Sequence, residues 1–229
     1  MKIAELFFSI QGEGKLAGVP SVFVRCSGCN LRCTWCDTPY TSWNPQGEDQ
    51  TIEQIVEQVK AFPAHHVVLT GGEPFIMGDI VPLAAAIRAA GRHLTIETAA
   101  TVFAPAVMDL ASLSPKLSNS TPHARDSGRR AAAHERQRLR IDVIQKFIDT
   151  APDFQLKFVV ATETDLDEIA AVVAQLNHVQ PADVLLMPEG IDAPTLASRA
   201  PWIAEACKRT GYRYCPRLHV ELWGNRRGT

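Results

Sequence analysis

Four of the six cysteines in this 229-residue chain lie within eleven consecutive residues, and this crowding limits what the chain can fold into. The four are Cys26, Cys29, Cys33 and Cys36, whereas Cys207 and Cys215 stand far along the chain. A secreted protein held by disulfides would spread its cysteines and carry a leader, but the N-terminus here runs straight into strand-like sequence. The crowding therefore predicts a metal or iron–sulfur site in a reducing cytoplasm.

Composition and charge exclude several other classes of protein. The hydrophobic fraction is 46% and the charged fraction is 21%, as in ordinary globular domains, so a disordered or fibrous chain is excluded. No stretch approaches the about 20 consecutive apolar residues of a membrane span. The net charge of −2 is too balanced to favour nucleic acid or an anionic membrane surface as the main partner.

Strand-like and helix-like runs alternate along the chain. The predicted strands are 21–26, 66–70, 94–98, 156–160, 184–187 and 212–220, and the predicted helices are 51–62, 79–90, 165–176 and 194–209. Such alternation is typical of an α/β fold with a mainly parallel sheet. The chain is shorter than the about 250 residues of an eight-unit barrel, so we expect a single domain over 1–229, folded as a partial, modified (βα)6-type barrel. Ligands then bind where the strands end.

The basic segment, residues 118–142, interrupts this alternation. Between positions 123 and 140, six arginines against Asp126 and Glu135 leave a local net charge of +4. We interpret the segment as an insertion, a loop followed by an exposed basic helix. It is either a solvated face or a docking surface, at which Arg136, Arg138 and Arg140 would attract an acidic electron-transfer protein.

The cysteine spacing leaves three interpretations open. Zinc sites usually pair two C-x2-C units across a longer loop, but only three residues separate Cys29 from Cys33. A ferredoxin-like site would use all four thiolates and have a proline where Asp37 stands. In the third interpretation Cys29, Cys33 and Cys36 hold a [4Fe-4S] cluster and leave one iron open for a ligand. Cys26 is then structural, because it alternates with the apolar Val22 and Val24 while Arg25 points to the other side.

The C-x3-C-x2-C motif, with Trp35 before its last cysteine, resembles that of the radical S-adenosylmethionine (SAM) superfamily. The resemblance implies that the open iron binds SAM and that one electron cleaves it to a radical that abstracts hydrogen. The run from Thr70 to Pro74 resembles the glycine-rich motif that holds the SAM amino group in that superfamily. Its two glycines allow close backbone approach, and Glu73 can accept from an ammonium.

Further motifs are similar to those of the 7-carboxy-7-deazaguanine synthase family. They are residues 7–14, 22–26, 36–38, 114–116, 187–190 and 217–225. The resemblance implies conversion of 6-carboxy-5,6,7,8-tetrahydropterin to 7-carboxy-7-deazaguanine by hydrogen abstraction, radical ring contraction and ammonia loss, on the route to queuosine. It also implies a modified radical SAM barrel, a homodimer, Mg2+ and a reductant such as flavodoxin, with no nucleic-acid or membrane partner.

The resemblance assigns residues by position and implies no catalytic side chain beyond the cluster and SAM. Cys29, Cys33 and Cys36 would hold the cluster, and Thr38 would be a ligand of Mg2+. The SAM-contacting positions would be Trp35, Asp37, Gly72, Ser114, Lys116, Met187, Pro188 and Glu189. The substrate would meet Ile10, Gln11, Gly12, Arg25, Thr70 and His219. Amides suit the alternating donors and acceptors of a pterin edge, and a guanidinium can clamp a carboxylate.

Two other functions share part of this pattern. An activase of a glycyl-radical enzyme has the same three-cysteine motif, but Gln11, Arg25 and His219 would be dispensable in it. A zinc or electron-transfer module would be non-enzymatic. Metal analysis that gives zinc without sulfide would favour that module.

Overall fold

The structure, a computed structural model, describes residues 1–229 and is built on one nine-stranded sheet. The strands are β1 (Lys2–Ile10), β2 (Pro20–Cys26), β3 (Glu48–Asp49), β4 (His66–Gly71), β5 (His93–Thr98), β6 (Leu110–Leu113), β7 (Phe154–Val160), β8 (Val184–Pro188) and β9 (Arg213–Tyr214). Their order in the sheet is β3-β1-β2-β4-β5-β6-β7-β8-β9. All neighbours from β2 to β9 pair in parallel, whereas β1 is antiparallel to both β2 and β3. The sheet does not close, which confirms the partial barrel with a mainly parallel sheet.

Eight helices accompany the sheet. They are α1 (Pro39–Ser42), α2 (Ile52–Lys60), α3 (Ile80–Ala89), α4 (Ala131–Gln137), α5 (Ile141–Thr150), α6 (Asp165–Val173), α7 (Ala193–Thr210) and α8 (Leu218–Trp223). The start of α2 follows from local sequence: the Thr51 hydroxyl accepts from the Gln54 amide, and the Gln54 side chain accepts from the Thr51 amide. No helix combines the length and the apolar character that a membrane crossing requires.

The two faces of the parallel strands have opposite character. One face belongs to a core of 35 buried apolar residues that the strands share with the helices. Cys26 lies in this core with Val22 and Val24, as its alternation predicts. The other face carries polar side chains that alternate with the apolar ones, among them Arg25, Thr70, Glu97, Gln155 and Lys157. The strands therefore present a polar interior to the concave side of the open barrel.

Inside the barrel, His66 links three neighbouring strands. Its Nδ1 lies 2.6 Å from the Ser21 hydroxyl on β2, and its Nε2 lies 2.8 Å from the Thr95 hydroxyl on β5. Burial lowers the pKa of His66 to about 4, so the imidazole is neutral at physiological pH. This hydrogen-bonded layer satisfies polar groups that would otherwise be buried without partners.

The sequence-based prediction of a last strand over 212–220 is wrong for most of that range. Only Arg213–Tyr214 pairs with β8, and the chain then turns into α8. Pro216 explains the early end, because it has no N–H to continue the ladder. The strand β6 and the helix α5 were not expected. The basic segment does contain a short helix, α4, but His134 on it is only 2% exposed, so the helix is not a purely solvated one.

Candidate active site

A cavity of about 510 Å³ opens at the carboxyl ends of the parallel strands. Most of the sequence-predicted site residues line it: Ile10, Gln11, Gly12, Arg25, Cys29, Cys33, Trp35, Cys36, Asp37, Thr38, Thr70, Gly72, Ser114, Lys116, Met187 and His219. Pro188 and Glu189 do not line it. The Glu189 carboxylate instead binds Arg199 on α7, 2.5 Å from Nη1. The fold thus brings together residues that are far apart in sequence.

The cluster loop, residues 27–38, follows β2 and presents three thiols to the cavity. Cys29, Cys33 and Cys36 all line the cavity wall, whereas Cys26 is fully buried in the core. Burial raises the pKa of the Cys29 thiol to about 12 and that of Cys33 to about 11. Bound iron would supply the positive charge that makes thiolates favourable here.

The donor set suits a cluster better than a single ion. No group of three or more His, Cys, Asp or Glu side chains converges closely enough to hold one metal ion. In an iron–sulfur cluster each thiolate binds a different iron, so the sulfurs need not converge on one point. Three thiols on one wall, with the fourth nearby cysteine turned into the core, therefore fit a [4Fe-4S] cluster with one open iron.

The turn after β4 packs against the cluster loop by backbone alone. The Gly72 amide donates to the Cys26 carbonyl at 3.1 Å, and the Glu73 amide donates to the Gly28 carbonyl at 2.9 Å. A Cβ on Gly72 would lie 2.0 Å from the Gly28 oxygen, so only glycine can stand there. Gly71 has φ +142°, in the region that favours glycine. The two glycines hold the cluster loop at the cavity edge.

Glu73 has a different role from the one expected. Its side chain is fully buried and accepts from the Thr98 hydroxyl at 2.7 Å, the Ala99 amide at 2.8 Å and the Phe75 amide at 3.1 Å. Burial raises the pKa of this carboxyl above its usual value, although the hydrogen bonds oppose the shift. The expectation that Glu73 accepts from an ammonium in the cavity is therefore wrong. Its carboxylate joins the ends of β4 and β5 instead.

A buried ionic network forms one wall of the cavity. Glu13 pairs with the Lys157 ammonium on β7 and lies 3.0 Å from Nε of Arg217. Arg217 also binds the Asp37 carboxylate of the cluster loop and the Gly190 carbonyl after β8. Burial opposes the ionisation of Glu13, but the two cations outweigh it and hold the pKa of its carboxyl far below the usual range. The network therefore stays fully charged at neutral pH.

Glu97, near the end of β5, lines the cavity. Its Oε2 accepts from the Thr70 hydroxyl at 2.7 Å, and its Oε1 accepts from the side-chain amide of Gln11 at 3.2 Å. The Lys157 ammonium lies 3.9 Å from Oε1. A carboxylate in this position can accept hydrogen bonds from N–H groups of a bound ligand.

Arg25 is oriented by a second acidic residue. Its Nε donates to Glu5 Oε1 at 2.6 Å, and the Tyr40 hydroxyl donates to the same oxygen at 2.7 Å. Arg227 stacks on the Tyr40 ring at 3.9 Å and lies 3.6 Å from Glu5 Oε2. Because Glu5 engages only Nε of Arg25, the two terminal nitrogens of the guanidinium are available to a ligand carboxylate.

The remaining predicted residues lie either beside Trp35 of the cluster loop or beside Gly12. Lys116 donates to the Ser114 hydroxyl at 2.8 Å and lies 5.5 Å from the centre of the Trp35 ring, beside the cluster loop. Met187 packs in a small apolar cluster that Trp35 also contacts. His219 lies against Gly12, where a Cβ would be 2.1 Å from its Nδ1, and burial lowers its pKa.

Thr38 precedes α1, and its hydroxyl lies 3.9 Å from the Cys36 sulfur. No group of three or more His, Cys, Asp or Glu side chains around it is arranged to hold a metal ion.

Seven charged residues of the cavity were missed: Glu5, Glu13, Glu97, Lys157, Arg217, Arg226 and Arg227. Lys157 carries a usable signal, because it is a charged residue within a strand that is otherwise largely apolar. Glu97 carries a weaker one, because its strand has only two apolar residues, Leu94 and Ile96. Glu13 and Arg217 lie within two of the family-like segments, residues 7–14 and 217–225, but nothing in those segments predicts that the two side chains pair.

Comparison with known proteins identifies the class. Residues 23–116 match the sequence profile of the Radical SAM superfamily. The fold is similar to that of the crystal structure of QueE from Escherichia coli, with a TM-score of 0.68 at 24% identity over 93% of this chain and 92% of that one. The fold and the three-cysteine loop thus define a radical SAM protein, a class that uses a [4Fe-4S] cluster and SAM.

Curated relatives identify the family within this class. The chain is 50% identical to 7-carboxy-7-deazaguanine synthase of Rhodopirellula baltica, over 99% of this chain and 88% of the relative. It is 45% identical to the synthase of Halobacterium salinarum, over 98% and 91%, and 36% identical to that of Pyrobaculum aerophilum, over 100% and 97%. The chain belongs to the 7-carboxy-7-deazaguanine synthase family.

Alanine variants of the four clustered cysteines test the proposed ligand set. After anaerobic reconstitution, Cys29→Ala, Cys33→Ala and Cys36→Ala are each expected to lose most of their iron and sulfide, because each removes a thiolate from the cavity wall. Cys26→Ala is the matched control and is expected to keep wild-type iron and sulfide, since its sulfur lies in the core. Loss of iron in Cys26→Ala with retention in Cys29→Ala would contradict this assignment.

Gly72→Ala tests the backbone contact between the turn after β4 and the cluster loop. The added Cβ is expected to lower the free energy of unfolding by about 1–3 kcal/mol, measured by urea unfolding of the metal-free protein, and to reduce iron uptake. Gly78→Ala is the control, because a Cβ there meets nothing within 4 Å. Equal stability and equal iron content in the two variants would show that the contact does not hold the loop.

Proposed function

We propose that the chain converts 6-carboxy-5,6,7,8-tetrahydropterin to 7-carboxy-7-deazaguanine with loss of ammonia. The names of its relatives support this activity. The observation that carries it is a single cavity in which the three-thiol wall of the cluster loop faces the polar interior built by Arg25, Glu97 and Gln11. Loss of one ammonia balances the reaction without a net oxidant.

The substrate carries two features that this interior complements. Its carboxylate suits the free terminal nitrogens of Arg25, which Glu5 holds in place through Nε. Its aminopyrimidinone edge combines N–H donors with a carbonyl acceptor. The Glu97 carboxylate and the Gln11 amide, 3.2 Å apart, offer the matching acceptors and donor.

The cofactor would lie between this interior and the cluster loop. SAM bound at the cluster of Cys29, Cys33 and Cys36 supplies hydrogen-atom abstraction at C6 of the substrate. Gly72, Lys116, Trp35 and Met187 form the adjoining wall. These residues bind and orient, and none of them is required to exchange a proton with the substrate.

Lys157 acts electrostatically in this proposal. Burial opposes its positive charge, but Glu13 and Glu97 outweigh burial and raise the pKa of the ammonium above its usual value. A lysine that holds its proton this firmly is a poor general base. Its ammonium instead pairs with Glu13 and lies 3.9 Å from the Glu97 carboxylate, which it helps to orient in the cavity. His219 is neutral at pH 7, because burial lowers its pKa, and can share a hydrogen bond with the substrate carboxylate.

We also propose that Thr38 is a ligand of Mg2+, that the protein forms a homodimer, and that an acidic low-potential protein such as flavodoxin donates the electron. The six free cysteines suit the reducing conditions of the cytoplasm, where we place the enzyme. A second copy is favoured by Phe8 and Trp223, which line one open groove and are 39% and 38% exposed. The donor is favoured by the exposed Arg129 and Arg136 of the basic segment. Arg138 is excluded from such docking, since it is 12% exposed and pairs with Glu135 and Glu168.

Turnover by the reconstituted, reduced enzyme tests the function. Supplied with SAM and the carboxylated tetrahydropterin, the wild-type enzyme is expected to form 7-carboxy-7-deazaguanine and ammonia. Arg25→Lys is expected to raise KM for the pterin by about 10- to 100-fold, because an ammonium cannot reproduce a two-bond clamp. Arg209→Lys, the same exchange at an exposed position near the end of α7 and outside the cavity, is the control and should leave KM unchanged.

Two results would contradict the proposed activity, and a third would contradict the role of Arg25. SAM cleavage without any pterin product, from enzyme with a full cluster, would favour an activase of another protein. Tightly bound zinc without sulfide would favour a non-enzymatic module. An Arg25→Lys variant with unchanged KM would remove Arg25 from the substrate site.

A further inference from the structure

The basic segment does more than cover the surface, because part of it contacts the backbone of the cluster loop. The Thr34 amide donates to the Ser120 carbonyl at 2.8 Å. The Trp35 indole donates to the Asn119 carbonyl at 3.1 Å, and Asn119 in turn donates to the Val159 carbonyl on β7 at 3.1 Å. The cluster loop is thus joined to the sheet through residues 119 and 120.

His134 on α4 makes the most specific of these contacts. The Arg32 amide donates to its Nδ1 at 3.1 Å, so Nδ1 must be an acceptor. Its Nε2 lies 2.9 Å from the Ser120 hydroxyl, which itself donates to the Leu117 carbonyl at 2.6 Å. Nε2 therefore carries the proton and donates to Ser120. The ring, 2% exposed, joins the loop to the basic segment with every polar atom paired.

Arg125 holds the next turn of the loop. Its Nη1 donates to the Thr34 carbonyl at 3.0 Å, and its guanidinium lies 4.0 Å from the centre of the Trp43 ring. The Trp43 indole donates to the Cys33 carbonyl at 3.0 Å. The backbone from Arg32 to Thr34, which flanks the middle ligand, is therefore held on both sides by side chains from outside the loop.

The basic segment is itself fixed to the barrel. Arg138 binds Glu168 on α6 at 2.8 Å and donates to the Lys116 carbonyl at 2.9 Å. Glu168 also accepts from the amide and the hydroxyl of Ser118, at 2.9 and 2.7 Å. A segment anchored at both its ends to α6 can restrain the loop that it touches.

We propose that residues 118–138 form a brace that holds the cluster loop in its ligand-ready conformation, with His134 and Arg125 as positioning residues. The inference rests on the proposed function only in assigning Cys29, Cys33 and Cys36 as the cluster ligands. It gives the basic segment a role that its charge alone does not reveal, because the decisive contacts are made by one neutral histidine and one half-buried arginine. The brace fixes the loop backbone whether or not the cluster is present.

Hydrogen exchange of the metal-free, full-length protein tests the brace without any need for turnover. His134→Phe keeps the ring volume but removes the acceptor, so amides of residues 29–36 are expected to exchange about tenfold faster. His134→Asn places an oxygen near the position of Nδ1 and should recover most of the protection. Arg136→Ala, at an exposed position of the same helix without such contacts, is the control.

The loaded protein provides a second readout. Iron release to a chelator is expected to be several-fold faster in His134→Phe and Arg125→Ala than in wild type and Arg136→Ala. If His134→Phe does not fold, Arg125→Ala tests the brace alone. Arg125→Ala is expected to fold, because the Arg125 side chain is only half-buried. Unchanged exchange and unchanged iron release in folded Arg125→Ala and His134 variants would overturn the brace. Absence of pterin turnover in the wild-type enzyme, with the expected faster exchange in the variants, would instead count against the proposed function and leave the brace intact.

Discussion

The cavity depends on one buried charge network that connects distant parts of the chain. Arg217 binds both Glu13 and the Asp37 carboxylate of the cluster loop, and Glu13 also binds Lys157 on β7. Removing one member would leave an uncompensated buried charge, which costs far more than an exposed pair would contribute. The network therefore fixes the N-terminal strand region, the cluster loop, β7 and the residues before α8 relative to one another.

The chemistry of the site follows from the sheet having two different faces. The face toward the helices supplies the apolar core, while the inner face can carry Arg25, Glu97 and Lys157 because they pair with one another or with Glu5 and Glu13. An open barrel with a polar interior can bind a polar, carboxylated ring, and its mouth carries the three thiols. The polar interior is thus a consequence of strand alternation, whereas the three thiols reach the cavity because the cluster loop follows the end of β2.

Local signals in the sequence predicted much of this. Thr51 and Gln54 predicted the start of α2, and the cysteine spacing with the alternation of Cys26 predicted which thiols face the cavity. Two predictions were wrong. Glu73 does not face the cavity, because it accepts three hydrogen bonds inside the protein that its local sequence does not predict. The strand predicted over 212–220 ends early because Pro216 cannot continue it. The Glu13–Arg217 pair, 204 residues apart, has no local signal at all.

The central claim is that three thiolates leave one iron of the cluster free for SAM at the mouth of a polar cavity. Electron–nuclear double resonance of the reduced enzyme, with SAM isotopically labelled at its amino nitrogen and carboxylate oxygens, tests it most directly. The account predicts strong couplings from both labels to the cluster in wild type and in Cys26→Ala. A cluster that shows neither coupling in saturating SAM, or that has a fourth cysteine ligand, would contradict it.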